Sequence, residues 1–95
     1  MEYTWTEAKR AINLATHQLD FARAPLVHEA PDHLTLAARR GPGGEERWQD
    51  LALCEGRVLS LIYTWRGGTV HCISLRPASR NERRLYAQER PYRTL

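Results

Sequence analysis

Arg47-Trp48-Gln49-Asp50-Leu51-Ala52-Leu53-Cys54-Glu55-Gly56-Arg57-Val58-Leu59-Ser60-Leu61-Ile62-Tyr63-Thr64-Trp65-Arg66-Gly67-Gly68-Thr69-Val70-His71-Cys72-Ile73-Ser74-Leu75-Arg76 is the stretch that decides the fold. Glu55-Gly56 and Gly67-Gly68 separate three runs of apolar, β-branched and aromatic residues, and short glycine-containing connections between such runs are hairpin signals. The pattern predicts three consecutive strands over 47–53, 58–64 and 69–76. Two-residue turns would pair Leu53 with Val58, Leu51 with Ser60 and Arg47 with Thr64, then Thr64 with His71 and Ile62 with Ile73. A four-residue loop at the second turn moves those partners by two and leaves the faces unchanged.

Side chains alternate across a sheet, so the pairing sorts residues onto two faces. One carries Arg47, Gln49, Leu51, Leu53, Val58, Ser60, Ile62, Thr64, Arg66, His71, Ile73 and Leu75. The other carries Trp48, Asp50, Ala52, Leu59, Leu61, Tyr63, Trp65, Val70, Cys72, Ser74 and Arg76. Neither face is wholly polar, so both are expected to be partly covered. On the first face the Leu/Val/Ile end packs under helices, while Arg47, Thr64, Arg66 and His71 gather at the other end.

Upstream, the connector Arg39-Arg40-Gly41-Pro42-Gly43-Gly44 divides a helical first half from a mainly β second half. Tyr3–Trp5 reads as a short strand, and Thr6 caps the following helix with Glu7 in its first turn. Ala8, Ile12 and Ala15 form a narrow apolar stripe expected to pack on the sheet. Asp20 opens a second segment through Phe21, Ala24 and Val27, kept short or distorted by Pro25. Leu34–Ala38 is a further strand. Downstream, Ser79-Arg80-Asn81-Glu82 is a capping box for a final helix that Pro91 stops. The fold class is therefore α+β: a mainly antiparallel sheet with N-terminal helices and a C-terminal helix.

Ninety-five residues make one domain, 1–95. No stretch approaches the roughly 18 to 20 apolar residues of a membrane span, and the N-terminus lacks a signal-peptide pattern, so a cytoplasmic protein without a membrane partner is expected. Cys54 and Cys72 are too few for a disulfide framework and read as free thiols, Cys72 within a strand. His17, His28, His33 and His71 lack ligand spacing, so neither metal nor cofactor is expected. Formal net charge is +3, and thirteen of fourteen basic residues are Arg, Lys9 being the exception. Guanidinium groups grip phosphate with a planar fork. A genome rich in G and C produces the same bias, so the arginines alone decide nothing.

Two guanidiniums, a hydroxyl and an imidazole converging on one patch suit phosphodiester chemistry. Arg binds phosphate oxygens and His moves protons near neutral pH, while the RNA 2′-hydroxyl supplies the nucleophile. The alternative is a solvated sheet end whose charges pair with Glu45, Glu46 or Asp50. Arg76, Arg80, Arg83 and Arg84 line a backbone-binding groove or an acidic partner's cleft. Equally, Arg83, Arg84 and Arg90 make the basic end of a helix. Glu82 is most simply a capping residue. His71 is the preferred proton carrier, with Glu46 and Tyr63 as alternatives.

These residues assemble a pattern that resembles the BrnT family. Trp5-Thr6-Glu7-Ala8-Lys9, Asn13, His17 and Asp20-Phe21 are similar to the family's opening. Glu46-Arg47-Trp48, Gly56-Arg57-Val58-Leu59, Tyr63-Thr64-Trp65-Arg66-Gly67 and Ile73-Ser74-Leu75-Arg76-Pro77-Ala78 through Glu82-Arg83 and Tyr86 follow its order and spacing. The resemblance spans about Trp5 to Tyr86. It implies a type II toxin with a RelE-like α+β fold that cleaves RNA without a metal. It also implies a BrnA-like antitoxin and operator DNA reached only through the antitoxin complex. On this reading His71, Arg66, Arg47, Arg76 and Glu82 are the catalytic set, and Arg57, Thr64 and Arg83 contact nucleic acid. Departures lie at Thr16-His17-Gln18, where Lys-His-Gly is usual, at His71, where Arg is common, and at Pro25 and Pro77. They bear on activity more than on fold and motivate a second reading, a catalytically degenerate binding module.

Overall fold

The computed structural model describes residues 1–92; the last three positions of the expected single domain, 93–95, lie outside the described residues. The chain runs β1 (Tyr3–Thr4), α1 (Glu7–His17), a 3-10 turn (Phe21–Arg23), α2 (Pro25–His28) and β2 (Leu34–Ala37). A second 3-10 turn (Pro42–Gly44) then precedes β3 (Trp48–Cys54), β4 (Arg57–Arg66), β5 (Thr69–Pro77) and α3 (Arg80–Glu89). The strands form one five-stranded sheet in the order β1-β5-β4-β3-β2, antiparallel except where β1 lies parallel to β5. The α+β class and the three-strand centre are as the sequence predicts.

Both hairpins use two-residue turns. Glu55 and Gly56 have φ of 52° and 85°, and Gly67 and Gly68 have 55° and 79°, the paired positive values whose twist matches that of the strands. The expected pairs Leu53–Val58, Leu51–Ser60 and Thr64–His71 form. Ile62–Ile73 does not. A bulge opposite Ile62/Tyr63 leaves Tyr63 paired with Cys72 and Ile62 with Ser74, so Ile73 is the extra residue. Parity inverts beyond it. Leu75 turns to the opposite face, fully buried beside Leu61, and Ser74 and Arg76 join the face of Ile62 and Ser60.

The opposite face is the principal core. Leu19, Phe21, Ala24 and Val27, from the turn and α2, close over Ala52, Leu59, Leu61, Tyr63, Val70, Cys72 and Leu75. Phe21 is wholly buried, which contributes about 1.5–3 kcal/mol relative to exposure. Asp20 caps the turn through the Ala22 amide, and Pro25 occupies the first turn of α2, where its missing N–H costs nothing. On the first face α3 covers one end only, Tyr86 and Ala78 packing on Leu51 and Val58. The rest of that face stays open.

The apolar stripe of α1 does not pack on the sheet. Ala8 and Ala15 are exposed and Ile12 is 66% exposed; the helix instead buries Asn13. β1 covers β5 only at Val70 and His71, which leaves the Leu75 backbone at a free edge. Asn13 supplies what that edge lacks. Its Nδ2 donates to the Leu75 carbonyl (2.9 Å), and its Oδ1 accepts from the Leu75 amide (3.0 Å). An amide docks the helix where periodicity points to aliphatics. Gln18, in place of the expected glycine, ends α1 at φ 57° in the left-handed region.

Candidate functional site

The open face is built in rows about 7 Å apart, the rise of two strand residues. Thr64 and His71 are partners in one row, with Arg47 just before β3 alongside. Gln49, Ile62 and Ser74 make the next row, and Leu51, Ser60 and Arg76 the third. Arg66 stands at the tip, opposite Thr69.

Glu45 organises the first row. Its carboxylate accepts from Arg47 Nε (3.1 Å) and from Arg66 Nη2 (3.4 Å), and both guanidiniums lower its pKa, the Arg47 hydrogen bond most. Two cations thus face one anion. Of the three carboxylates open to pair with this cluster, Glu45 is the one that does. The Arg47 guanidinium also lies flat against Gly41, where a Cβ would stand 2.5 Å from Arg47 Nε and Cζ. Thr64 is buried and donates its hydroxyl to the Glu46 carbonyl (2.8 Å).

His71 is half-buried, with Nδ1 2.9 Å from Thr4 Oγ1. Burial first, then the Arg66 and Lys9 cations, lower its pKa, and Glu45 opposes them. The sequence reading did not place Lys9 and Thr4 near this histidine. They arrive on α1 and β1, whose position beside β5 no strand pattern in 47–76 specifies.

The third row holds a second network. Arg76 meets Glu82 in a bidentate pair, Nη1 to Oε1 at 2.7 Å and Nη2 to Oε2 at 2.9 Å. Glu82 also accepts from the Ser79 amide (2.8 Å) and from Gln49 Nε2 (2.7 Å), and Gln49 bonds Ser60 Oγ (2.9 Å). The Arg76 bond chiefly holds Glu82 at a pKa of about 2. Glu82 closes the expected capping box and binds Arg76 with the same oxygens. The inverted parity is what brings Arg76 here, correcting the opposite-face placement that strand alternation gave.

Two expected contacts lie elsewhere. Arg57 opens β4 and Arg66 ends it, about 30 Å apart at strand rise. Arg83 turns back to the Ala78 carbonyl (3.1 Å), just ahead of the α3 cap. Tyr63 is buried on the core face and donates to Asp50 (3.0 Å), which burial and that carboxylate's charge accompany with a raised pKa. Asp50 itself is wholly buried, with His28 Nδ1 and Thr35 Oγ1 each at 2.7 Å. The sequence reading assigned this tie no role.

A cleft of about 430 Å³ lies beside the first two rows, between Arg47, Ile62 and the Arg39–Pro42 loop. A second, of about 300 Å³, lies between α1 and β5. Among the described residues no three His, Cys, Asp or Glu side chains group as metal ligands, and no helix is long and apolar enough to cross a membrane.

No individual curated protein matches the chain. Residues 5–82 match the family model described as the ribonuclease toxin BrnT of type II toxin-antitoxin systems, so the chain belongs to that family, which implies an RNA target and an antitoxin partner.

Proposed function

We propose that the chain cleaves RNA by internal transesterification with its own side chains and without a metal. In this reading it has a RelE-like fold, acts in the cytoplasm, and is held inactive by a BrnA-like antitoxin through which alone it meets operator DNA. The observation that carries the reading is the gathering of Arg47, Arg66 and His71 at the open end of a face that α3 closes at the other.

The 2′-oxygen attacks the neighbouring phosphorus as its proton passes to a base. The 5′-oxygen leaves with a proton, giving a cyclic phosphate and a free 5′-hydroxyl. A depressed pKa keeps the His71 imidazole neutral at pH 7, which suits a proton acceptor. In the tautomer whose Nδ1–H donates to Thr4, Nε2 carries the free lone pair. Arg47 and Arg66, two cations on one carboxylate, keep a positive excess for the phosphorane. Glu82, near pKa 2 and saturated with donors, is a poor base and acts as the positioning residue for Arg76.

Purified protein is incubated with a defined RNA at varied pH. Cleavage should fall about 10²–10⁴-fold in His71→Ala. Wild-type kcat/KM should rise with pH to a plateau through an inflection below 6.5, and that limb should vanish in the variant. Equal cleavage by wild type and His71→Ala overturns the assignment of the base. The engagement of Arg47, Arg66 and Arg76 by carboxylates favours the second reading, a degenerate module. No cleavage together with tight binding to a ribbon-helix-helix antitoxin would establish that reading instead.

A further inference from the structure

Five arginines of the described residues are already engaged by carboxylates. Arg10 pairs with Glu7 and Asp20, Arg23 with Glu55, Arg47 and Arg66 with Glu45, and Arg76 with Glu82. The Lys9 ammonium, the Arg39 guanidinium and the His17 ring have no hydrogen-bond or ion-pair partner among the described residues. Lys9 and His17 lie on α1 and Arg39 on the distant loop, and all three line the two clefts of the open face. The clefts share Ile73 and Ser74, the bulge and its neighbour, and neither is lined by an acidic residue. A further cleft near the hairpin tip is lined by Glu45 and Glu46, so the absence of carboxylates is particular to these two.

The geometry points to one continuous track for single-stranded RNA across the sheet. It enters beside Arg39, passes over the bulge and leaves between α1 and β5 past Lys9 and His17. This rests on the ribonuclease reading and names the substrate form and its path. The strands from β5 to β2 span about 14 Å at the usual spacing, enough for a few nucleotides. Half-buried Ile62 and Ile73 give an apolar floor at the crossing, on which an unstacked base lies with its backbone toward the flanking cations. An A-form duplex keeps its bases stacked inside and offers no such face.

The test uses a dye-labelled, fully 2′-O-methylated single strand of about eight nucleotides, which lacks the nucleophile and therefore reports binding apart from cleavage. Lys9→Ala and Arg39→Ala should each raise Kd about fivefold at low salt and reduce the slope of log K against log salt by about one. Ile73→Ser should weaken binding with the slope unchanged. Arg23→Gln, on a residue outside both clefts, should match wild type. A duplex of the same sequence should compete at least about tenfold less well. If wild type binds and cleaves RNA while the Lys9 and Arg39 variants keep its affinity and slope, the track is wrong and the ribonuclease reading stands. That pattern would be expected if the clefts take a protein segment instead. Equal competition by the duplex likewise overturns the single-strand assignment. If wild type neither binds the probe nor cleaves RNA, both fall together.

Discussion

Gly41 contributes no side chain, yet it sets where a site cation lies. The Arg47 guanidinium occupies the space a Cβ at this position would take, while the Gly41 φ of −86° is open to any residue. Gly41→Ala should therefore displace the guanidinium without straining the backbone or altering the charge. Cleavage is expected to fall about tenfold or more, with the midpoint of unfolding shifted by less than about 1 kcal/mol. Undiminished cleavage would show that Arg47 need not lie where it does. Glu82 is the second residue-scale lever. Its folded pKa of about 2 lies below the ordinary 4.5, so its stabilisation is complete above about pH 4.5 and is lost as pH falls toward 2. Glu82→Gln should be less stable than wild type by about 2 kcal/mol at pH 7, allowing for solvent screening. The gap should narrow steadily in denaturant melts between pH 4.5 and 3, and a gap independent of pH would contradict the ionised pair with Arg76.

At the scale of elements, hairpins were legible because their turns and alternation are local. Both two-residue turns and most pairs follow from residues within ten positions of each other. The bulge at Ile73 was not legible: parity assumes uninterrupted pairing, and nothing in Cys72-Ile73-Ser74 marks an extra residue. That one residue decides whether Arg76 meets Glu82 or the core. The docking of α1 was missed for a different reason. Hydrophobic periodicity registers Ala8, Ile12 and Ala15, but the free edge at Leu75 calls for a donor and an acceptor, which only a side-chain amide supplies together. Asn13→Ala should cost about 2–3 kcal/mol, because it leaves the buried Leu75 amide and carbonyl without partners. Hydrogen exchange at the Leu75 amide should accelerate more than at Leu61 in β4. Equal changes at both would mean that Asn13 supports the molecule globally and does not guard this edge.

Across the whole molecule, the principal core and the candidate site occupy opposite faces of one sheet. Phe21, Ala24 and Val27 pack on the far side, and α3 closes only the end remote from Arg66. The grouping of Arg47, Thr64, Arg66 and His71 was legible because they fall on one face by alternation alone. The positions of Lys9, Thr4 and Arg39 beside this group needed the tertiary placement of α1, β1 and the loop. The separation of faces makes a cellular experiment interpretable. Arg66 is 56% exposed at its side chain and its ion pair with Glu45 is partly exposed, so its replacement should change stability by no more than about 0.5 kcal/mol. His71 lies at the sheet's margin beside Thr4. An Arg66→Ala, His71→Ala double variant should therefore stay folded and accumulate in cells. Wild type expressed without its antitoxin should arrest growth, while the double variant should not. Phe21→Ala should also lose toxicity, but by unfolding, at a cost of about 3–5 kcal/mol. Soluble protein level and melting temperature separate these two routes. Growth arrest by the folded double variant at wild-type level would remove the chemistry from this end of the sheet.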